Sequence, residues 1–346
     1  MTGYRVSSKN LVDQDCIRRL REAVEPGPVL ILTHENPDPD ALASGKALSS
    51  LFKIAWGISS DLVYSGIISR AENKAMLNLL TPEWVNQEEL SEVSSYSAIA
   101  LVDSQPGAGN NNLPEGLIPR VVVDHHYPLR KELKQSEFVD VRLDMDSTSS
   151  MTYQYLEAAN IVPDEILATS IFYGIHADTN GLSRGGSSID QAIYLKLLEL
   201  VNKEILAQVE QARLPREYFS AFTRGLEAAC IYGEVVVCDL GIMHRPDFVA
   251  EMADLLIRLE GTSAALCFGS HDTDIFISLR TLDPEVDAGI LVQKIILPPG
   301  KAGGHGTIAG GRIPYKPGKA SRVSTQITVR FLEVMGEKQQ GKRLLE

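Results

Sequence analysis

At 346 residues the chain is longer than a single hydrophobic core commonly organises, so two domains are expected. A composition of 44% hydrophobic and 23% charged residues excludes extended disorder, and no apolar run reaches the roughly 18 residues of a membrane span. The formal net charge of -12 argues against a general affinity for long nucleic-acid backbones, which bind largely through Lys and Arg.

The first half alternates short β-branched runs with helical patterns, which predicts βαβ units and a mostly parallel sheet flanked by helices. Strands are read at Val29 to Thr33, Ser97 to Val102 and Arg120 to Val123, with helices at Leu42 to Phe52, Met151 to Ala159 and Glu165 to about Gly174. Each strand stops at a polar residue, His34, Asp103 or Asp124, and in open α/β sheets sites form at the carboxyl ends of strands. From Ser188 to about Gly225 the pattern is helical and charge-rich, with apolar residues at Ile193, Leu195, Leu197, Leu198 and Val201. A second alternation follows: strand Glu234 to Leu240, helix Pro246 to Leu259, strands Ala264 to Phe268 and Asp274 to Arg280, helix Val286 to Ile296. A glycine-rich loop from Gly300 to Gly311 precedes the last elements. The expected organisation is a catalytic metal-binding domain over 1–190, a helical connector over 191–225 and a smaller α/β domain over 226–346. The polar opening stretch lacks a secretory signal and the four cysteines form no CxxC pair, so a reduced, cytoplasmic chain is expected.

Four places in the first half offer metal-binding groups: His34 with Asp38 and Asp40, then Asp103, then Asp124-His125-His126, then Asp178. A lone Asp at a strand end is usually a turn residue or helix cap, and Asp40, just before a helical run, fits that alternative too. Pro37 and Pro39 bias their neighbours toward extended geometry, which should turn Asp38 and Asp40 to similar sides, within reach of two ions about 3.5–4 Å apart. Two histidines joined to a strand-end Asp are a combination that a solvated loop has little reason to carry. Asp178 closes a helix, where a carboxylate opposes the macrodipole and a cation would hold it.

These residues, in this order and spacing, resemble the four motifs of the DHH phosphoesterases. Gly303-Gly304-His305-Gly306 with Ala309-Gly310 is similar to the glycine-histidine loop of the DHHA1 domain that follows in that family. The resemblance spans roughly Val29 to Arg312; the main local variant is Pro39, where many members have glycine. It implies one divalent ion held by His34, Asp38 and Asp103 and another by Asp40, Asp103, His125 and Asp178, with Asp103 bridging. Asp124 would orient a neighbouring imidazole and His126 would face the phosphate as donor or proton relay. Two divalent ions would offset the crowded carboxylates; manganese suits the oxygen and imidazole donors, and magnesium is compatible. A water between the ions would be acidified into the nucleophile.

In the second domain the glycines Gly303, Gly304 and Gly306 leave backbone N–H groups open to an anion, with His305 as a further donor. Arg280 sits where related proteins place a phosphate-clamping arginine, and Arg184 and Arg312 are lesser candidates. An active-site cleft between the domains would favour short substrates, in the manner of the nano-RNase and pAp phosphatase members of the family. The expected partner is thus a short oligonucleotide or 3'-phosphoadenosine 5'-phosphate, with no long duplex and no membrane; a homodimer is compatible. Rival readings are a single-strand exonuclease, a cyclic or linear dinucleotide phosphodiesterase, a pyrophosphatase or exopolyphosphatase, and a non-catalytic nucleotide-binding protein. His176, His244 and His271 are read as ordinary packed or loop residues.

Overall fold

The structure, a computed structural model, describes residues 12–345 except 90–92, 112, 115, 284 and 317; the polar stretch at 1–11 lies outside it. The chain divides into two compact units, Met1–Ala212 and Arg213–Glu346.

The first unit is built on a six-stranded sheet with order β3-β2-β1-β4-β5-β6 and every pairing parallel: β1 (Val29–Glu35), β2 (Ser60–Ser65), β3 (Trp84–Asn86), β4 (Ala98–Val102), β5 (Val121–Asp124) and β6 (Phe138–Val141). The sheet is apolar on both faces, as parallel sheets are. Val29, Ile31, Ala100, Val102, Val121 and Val123 face one core, and Leu30, Leu32, Leu101 and Val122 face another. The first core is closed by α1 (Gln14–Val24), α2 (Pro39–Trp56), α4 (Thr148–Ala158) and α5 (Glu165–Thr179), with α3 (Ala71–Leu79) beside them. The strand order reverses between β1 and β4, a topological switch point whose carboxyl side is the usual ligand crevice of such sheets.

The next helices, α6 (Ser188–Leu198) and α7 (Lys203–Glu210), lie where the sequence places the end of the first domain and a connector. They belong to the first unit, because Ile193, Leu197, Val201 and Val209 bury in its core. The second unit begins with α8 (Arg216–Ala228) and carries a seven-stranded mixed sheet, order β11-β12-β10-β9-β8-β7-β13. Its strands are β7 (Ala229–Tyr232), β8 (Val235–Ile242), β9 (Ala264–His271), β10 (Asp274–Thr281), β11 (Lys301–His305), β12 (Ile308–Pro314) and β13 (Lys342–Arg343). Only β8 and β9 pair in parallel; α9 (Phe248–Leu256) joins them, while α10 (Ala288–Ile295) and α11 (Ala320–Met335) complete the unit. Alternate residues of β8 bury toward opposite cores, Val235 and Val237 to one and Val236 and Cys238 to the other. The glycine-rich stretch expected as a loop is an antiparallel hairpin, because Gly303 pairs with Gly310 and Gly304 with Ala309. Among the described residues no helix is long and apolar enough to cross a membrane.

Candidate metal centre

His34 stands in β1, Asp124 ends β5, and Asp103 follows β4 directly, so three of the predicted residues arrive at the switch point by the sheet alone. Asp103 adopts a left-handed backbone, φ 55°, that non-glycine residues rarely hold. Its buried carboxylate thereby faces two histidines at once: Oδ2 lies 3.4 Å from His34 Nε2 and Oδ1 lies 3.5 Å from His125 Nε2. Asp38 comes within 3.8 Å of the same His34 nitrogen, and Asp178 and Asp40 lie 3.4 and 4.0 Å from His125 Nε2. Three overlapping sets could therefore each hold a metal ion: His34, Asp38 and Asp103; Asp40, His125 and Asp178; and Asp103, His125 and His126.

The helices supply the rest. Asp38 caps α2 by accepting from Ala41 N at 3.0 Å. Asp40, fully buried in the first turn of α2, accepts from Thr148 N at 2.7 Å and Ser149 N at 2.8 Å, the opening N–H groups of α4. Asp178 rides on the last turn of α5, brought close because Gly174, one turn earlier, has no side chain: a Cβ there would stand 2.3 Å from Ser149 Oγ and 3.0 Å from Ala43 Cβ.

Hydrogen bonding fixes the tautomers. His34 Nδ1 lies 3.0 Å from Glu35 O and His125 Nδ1 lies 3.3 Å from Met145 O. A carbonyl only accepts, so each Nδ1 donates, and Nε2, facing the carboxylates, is the nitrogen that gives up its proton when the ring becomes neutral. His125 Nε2 and Asp103 Oδ2 are buried with no hydrogen-bond partner, and a buried unpaired polar atom is costly. Oδ2 belongs with His34 and Asp38, and His125 Nε2 with Asp40 and Asp178, so a cation in each set would satisfy one of them. Oxygen and imidazole donors are the set that divalent ions take, so the residues fit a metal.

Electrostatics leads to the same fit. At Asp40, burial joined by repulsion from Asp178 and Asp103 pushes the carboxyl well above the usual range, and at Asp178 burial, then Asp38 and Asp103, outweigh the attraction of His125 and raise it too. Burial also opposes charge on Asp103, but His34, His126 and His125 outweigh it and hold the carboxyl well below the usual range. Burial likewise opposes charge on His34 and His125; Asp103 and Asp38 for the one, and Asp178, Asp103 and Asp40 for the other, raise both imidazoles well above their ordinary value. A cluster that must share protons to lower its own repulsion is one that divalent charge can stabilise instead.

Asp124, fully buried, accepts from His126 Nδ1 at 2.8 Å and from Gln105 Nε2 at 2.7 Å. Sequence reasoning overlooked Gln105, which also donates to His126 O, and Thr148, whose Oγ1 donates to Asp103 Oδ1 at 2.8 Å. The signal for Thr148 was the Asp146-Ser147-Thr148-Ser149 string, a helix start whose N–H groups suit an anion. Nothing local marks Gln105.

In the second unit, Gly303 and Gly304 form β11 and Gly306 the turn, at φ 51°, and Gly306 O accepts from Ala288 N at the start of α10. Gly304 is packed so tightly that a Cβ would stand 2.3 Å from Ile308 O. The side chain of His305 lies outside the described residues. Arg280 is buried, with Nε donating to Asp254 Oδ1 and Nη1 to Ser278 Oγ and Leu279 O. It therefore has an internal role in the sheet. Arg184 Nη2 donates to Asp178 O, and Arg312 lies 3.9 Å from Asp274. His176 packs against Tyr194, and His271 Nδ1 donates to Met243 O.

Parallel sheet, switch point and carboxylate–imidazole cluster together define a metal-binding α/β protein. Within that class, the chain belongs to the DHH family of phosphoesterases and carries a DHHA1 domain. The DHH family, N-terminal domain, matches residues 28–175 and the DHHA1 domain residues 233–328. An uncharacterized protein of Methanocaldococcus jannaschii is 33% identical over 332 residues, covering 93% of this chain and 67% of that protein. Probable manganese-dependent inorganic pyrophosphatases of Streptococcus agalactiae are 25% identical over 152 residues, 44% of this chain and 48% of theirs. The crystal structure of an exopolyphosphatase-related protein from Bacteroides fragilis superposes with a TM-score of 0.74 at 14% identity, covering 94% of this chain and 99% of that one, a likeness of fold.

Proposed function

We propose that this protein hydrolyses phosphate esters of short oligonucleotides or of 3'-phosphoadenosine 5'-phosphate with a pair of divalent ions, manganese by preference. The observation that carries this reading is Asp103, whose two oxygens face two histidines, each in its own carboxylate set. His34, Asp38 and Asp103 would hold one ion, and Asp40, Asp103, His125 and Asp178 the other. When bound, the pair would acidify a water and polarise the phosphoryl oxygens.

The chain's own residues would do the rest. Asp124 holds the proton of His126 on Nδ1, which turns Nε2 into the atom that exchanges a proton with the phosphate. Burial and His125 oppose charge on His126, but Asp124 and Asp103 outweigh them and raise its pKa, so the imidazolium form, a donor to a phosphoryl oxygen, is favoured. The hairpin amides at Gly303, Gly304 and Gly306, together with Arg280 and His305, would be donors to a phosphate.

Hydrolysis of an anhydride is the second reading, supported by the pyrophosphatase relatives. Their match extends over 44% of this chain, about the size of the DHH domain, whereas the hairpin lies in the DHHA1 domain, so the ester reading is preferred. The deciding experiment incubates the protein with manganese against pAp, a dinucleotide, a five-residue oligomer, a long single strand and pyrophosphate. Turnover of the first three, lost in Asp103→Ala, is expected. Preference for the long strand, or turnover of pyrophosphate alone, overturns the substrate assignment.

A further inference from the structure

Between α8 and the carboxyl end of β8, the second unit encloses a pocket of about 240 Å³ that none of the DHH or DHHA1 motif residues lines. Its inner wall is apolar and partly aromatic, with Leu240, Met243, Phe248 and Tyr218, the last two meeting edge to face at 5.6 Å. Three basic side chains, Arg224, His244 and Arg245, share the lining with a single carboxylate, Glu217. That balance opposes the acidic character of the chain as a whole, whose net charge is -12. Arg245 is the informative one. Its guanidinium stands 5.7 Å over the Tyr218 ring and its Nη2 reaches Glu251 at 3.3 Å, yet its Nε is buried without a hydrogen-bond partner. An atom sealed from water is equally sealed from a ligand, so Arg245 serves the pocket through the charge of its guanidinium and not through Nε. Arg224 and His244 are exposed, so a guanidinium charge and an imidazole ring are offered at the mouth.

We propose that this pocket binds one nucleoside monophosphate, with the base held among Tyr218, Phe248 and Leu240 and the phosphate at the mouth against Arg224 and His244. A planar ring matches the aromatic wall and fits within the volume. The phosphate finds a guanidinium and an imidazole where solvent can still reach it, which spares the cost of burying a dianion. Every lining residue belongs to the second unit, whereas the metal cluster belongs to the first. A nucleoside monophosphate is also the product class of the ester hydrolysis proposed above, so occupancy would report product level; the binding claim itself does not rest on that reading.

The test is isothermal titration calorimetry on the full-length, chelator-treated protein carrying Asp103→Asn, so that the metal cluster contributes nothing. Probes are AMP, GMP, CMP and UMP, with adenosine and inorganic phosphate as controls. One equivalent of at least one nucleotide is expected to bind, about tenfold or more above adenosine and above phosphate. Arg224→Glu, at an exposed position, should weaken it by about tenfold or more, and Ala221→Trp, which fills the pocket, should abolish it. Circular dichroism melting identifies an Ala221→Trp variant that fails to fold, and Arg224→Glu then decides alone. Absence of binding by every nucleotide, equal binding of phosphate alone, or affinity unchanged in Arg224→Glu overturns the proposal. Failure of turnover in the substrate panel leaves this measurement untouched, and the reverse holds as well.

Discussion

Asp103 combines an unusual backbone with a central carboxylate, and the two can be separated by substitution. Asn tolerates the left-handed region, so Asp103→Asn should keep the fold while losing the charge that faces His34 and His125. Divalent-ion affinity measured by calorimetry is expected to fall by about 100-fold or more, beyond what loss of an outer hydrogen bond costs. A variant that binds manganese as the parent does would remove Asp103 from the site. Protons offer a second test at this scale. Burial notwithstanding, His34 and His125 titrate well above their ordinary value in the metal-free protein, so an ion reaching Nε2 must displace protons. Binding should therefore weaken as pH falls, and titrations in buffers of different ionisation enthalpy should count protons released. The sign for stability follows too. A raised pKa contributes stability that is fully present below the unfolded value, about 4 for Asp40 and Asp178 and about 6.5 for the histidines, and is lost as pH rises through the folded value. The metal-free protein should thus lose thermal stability as pH rises above about 6.5, and the gap in Tm between loaded and metal-free forms should widen. A gap that narrows contradicts this account. At this scale the sequence was informative, because the residues His34, Asp38, Asp40, Asp103, Asp124 and Asp178 sit at strand or helix ends where they can only point to one edge of the sheet. Gln105 was not legible, since its role depends on a contact with Asp124 nineteen positions away that no periodicity encodes.

Among the elements, α2, α4 and α5 form a close-packed trio, and Gly174 sets how near α5 can come. Gly174→Ala would drive a methyl into Ser149 Oγ and Ala43 Cβ, an overpacking that costs about 1–3 kcal/mol. Melting of the first unit should fall by about 2–4 °C per kcal/mol for a domain of this size, and metal affinity should drop because Asp178 is carried one turn further along. Removing the nearest obstacle by Ser149→Ala in the same chain should restore part of both. If Gly174→Ala leaves metal affinity intact, the placement of Asp178 does not depend on this crossing. The strands β1, β4 and β5 were legible as apolar runs, whereas β2, β3 and β6 were not singled out. In β6 the run is interrupted by Asp140, whose charge is buried against Arg142 and Tyr155, and polarity of that kind hides a strand from a hydrophobic pattern. The hairpin of β11 and β12 was taken for a loop for a related reason: glycines carry no side-chain alternation, and backbone pairing alone makes the strands.

At the scale of the whole molecule, each unit has its own core, and the residues that could hold a metal all belong to the first. Saturating manganese should therefore raise the melting temperature of the first unit, by roughly 2.7 kcal/mol of stabilisation at a hundred times Kd. Hydrogen exchange with and without chelator should show the protection within residues 12–212; protection centred on the second unit would place the ion elsewhere. The boundary between units was the part of the organisation least visible beforehand, because α6 and α7 read as a solvated connector until their few apolar residues are seen to dock on the first core. Asp38 and Asp40 each fasten a helix start as well as facing the cluster, Asp38 that of α2 and Asp40 that of α4. Architecture alone is thus reason enough to keep them. A descendant that abandoned hydrolysis would still use both acids to start its helices, so the presence of these two letters in a chain speaks first of its scaffold, and His34, His125 and Asp178 are the positions at which a silenced copy would show its loss.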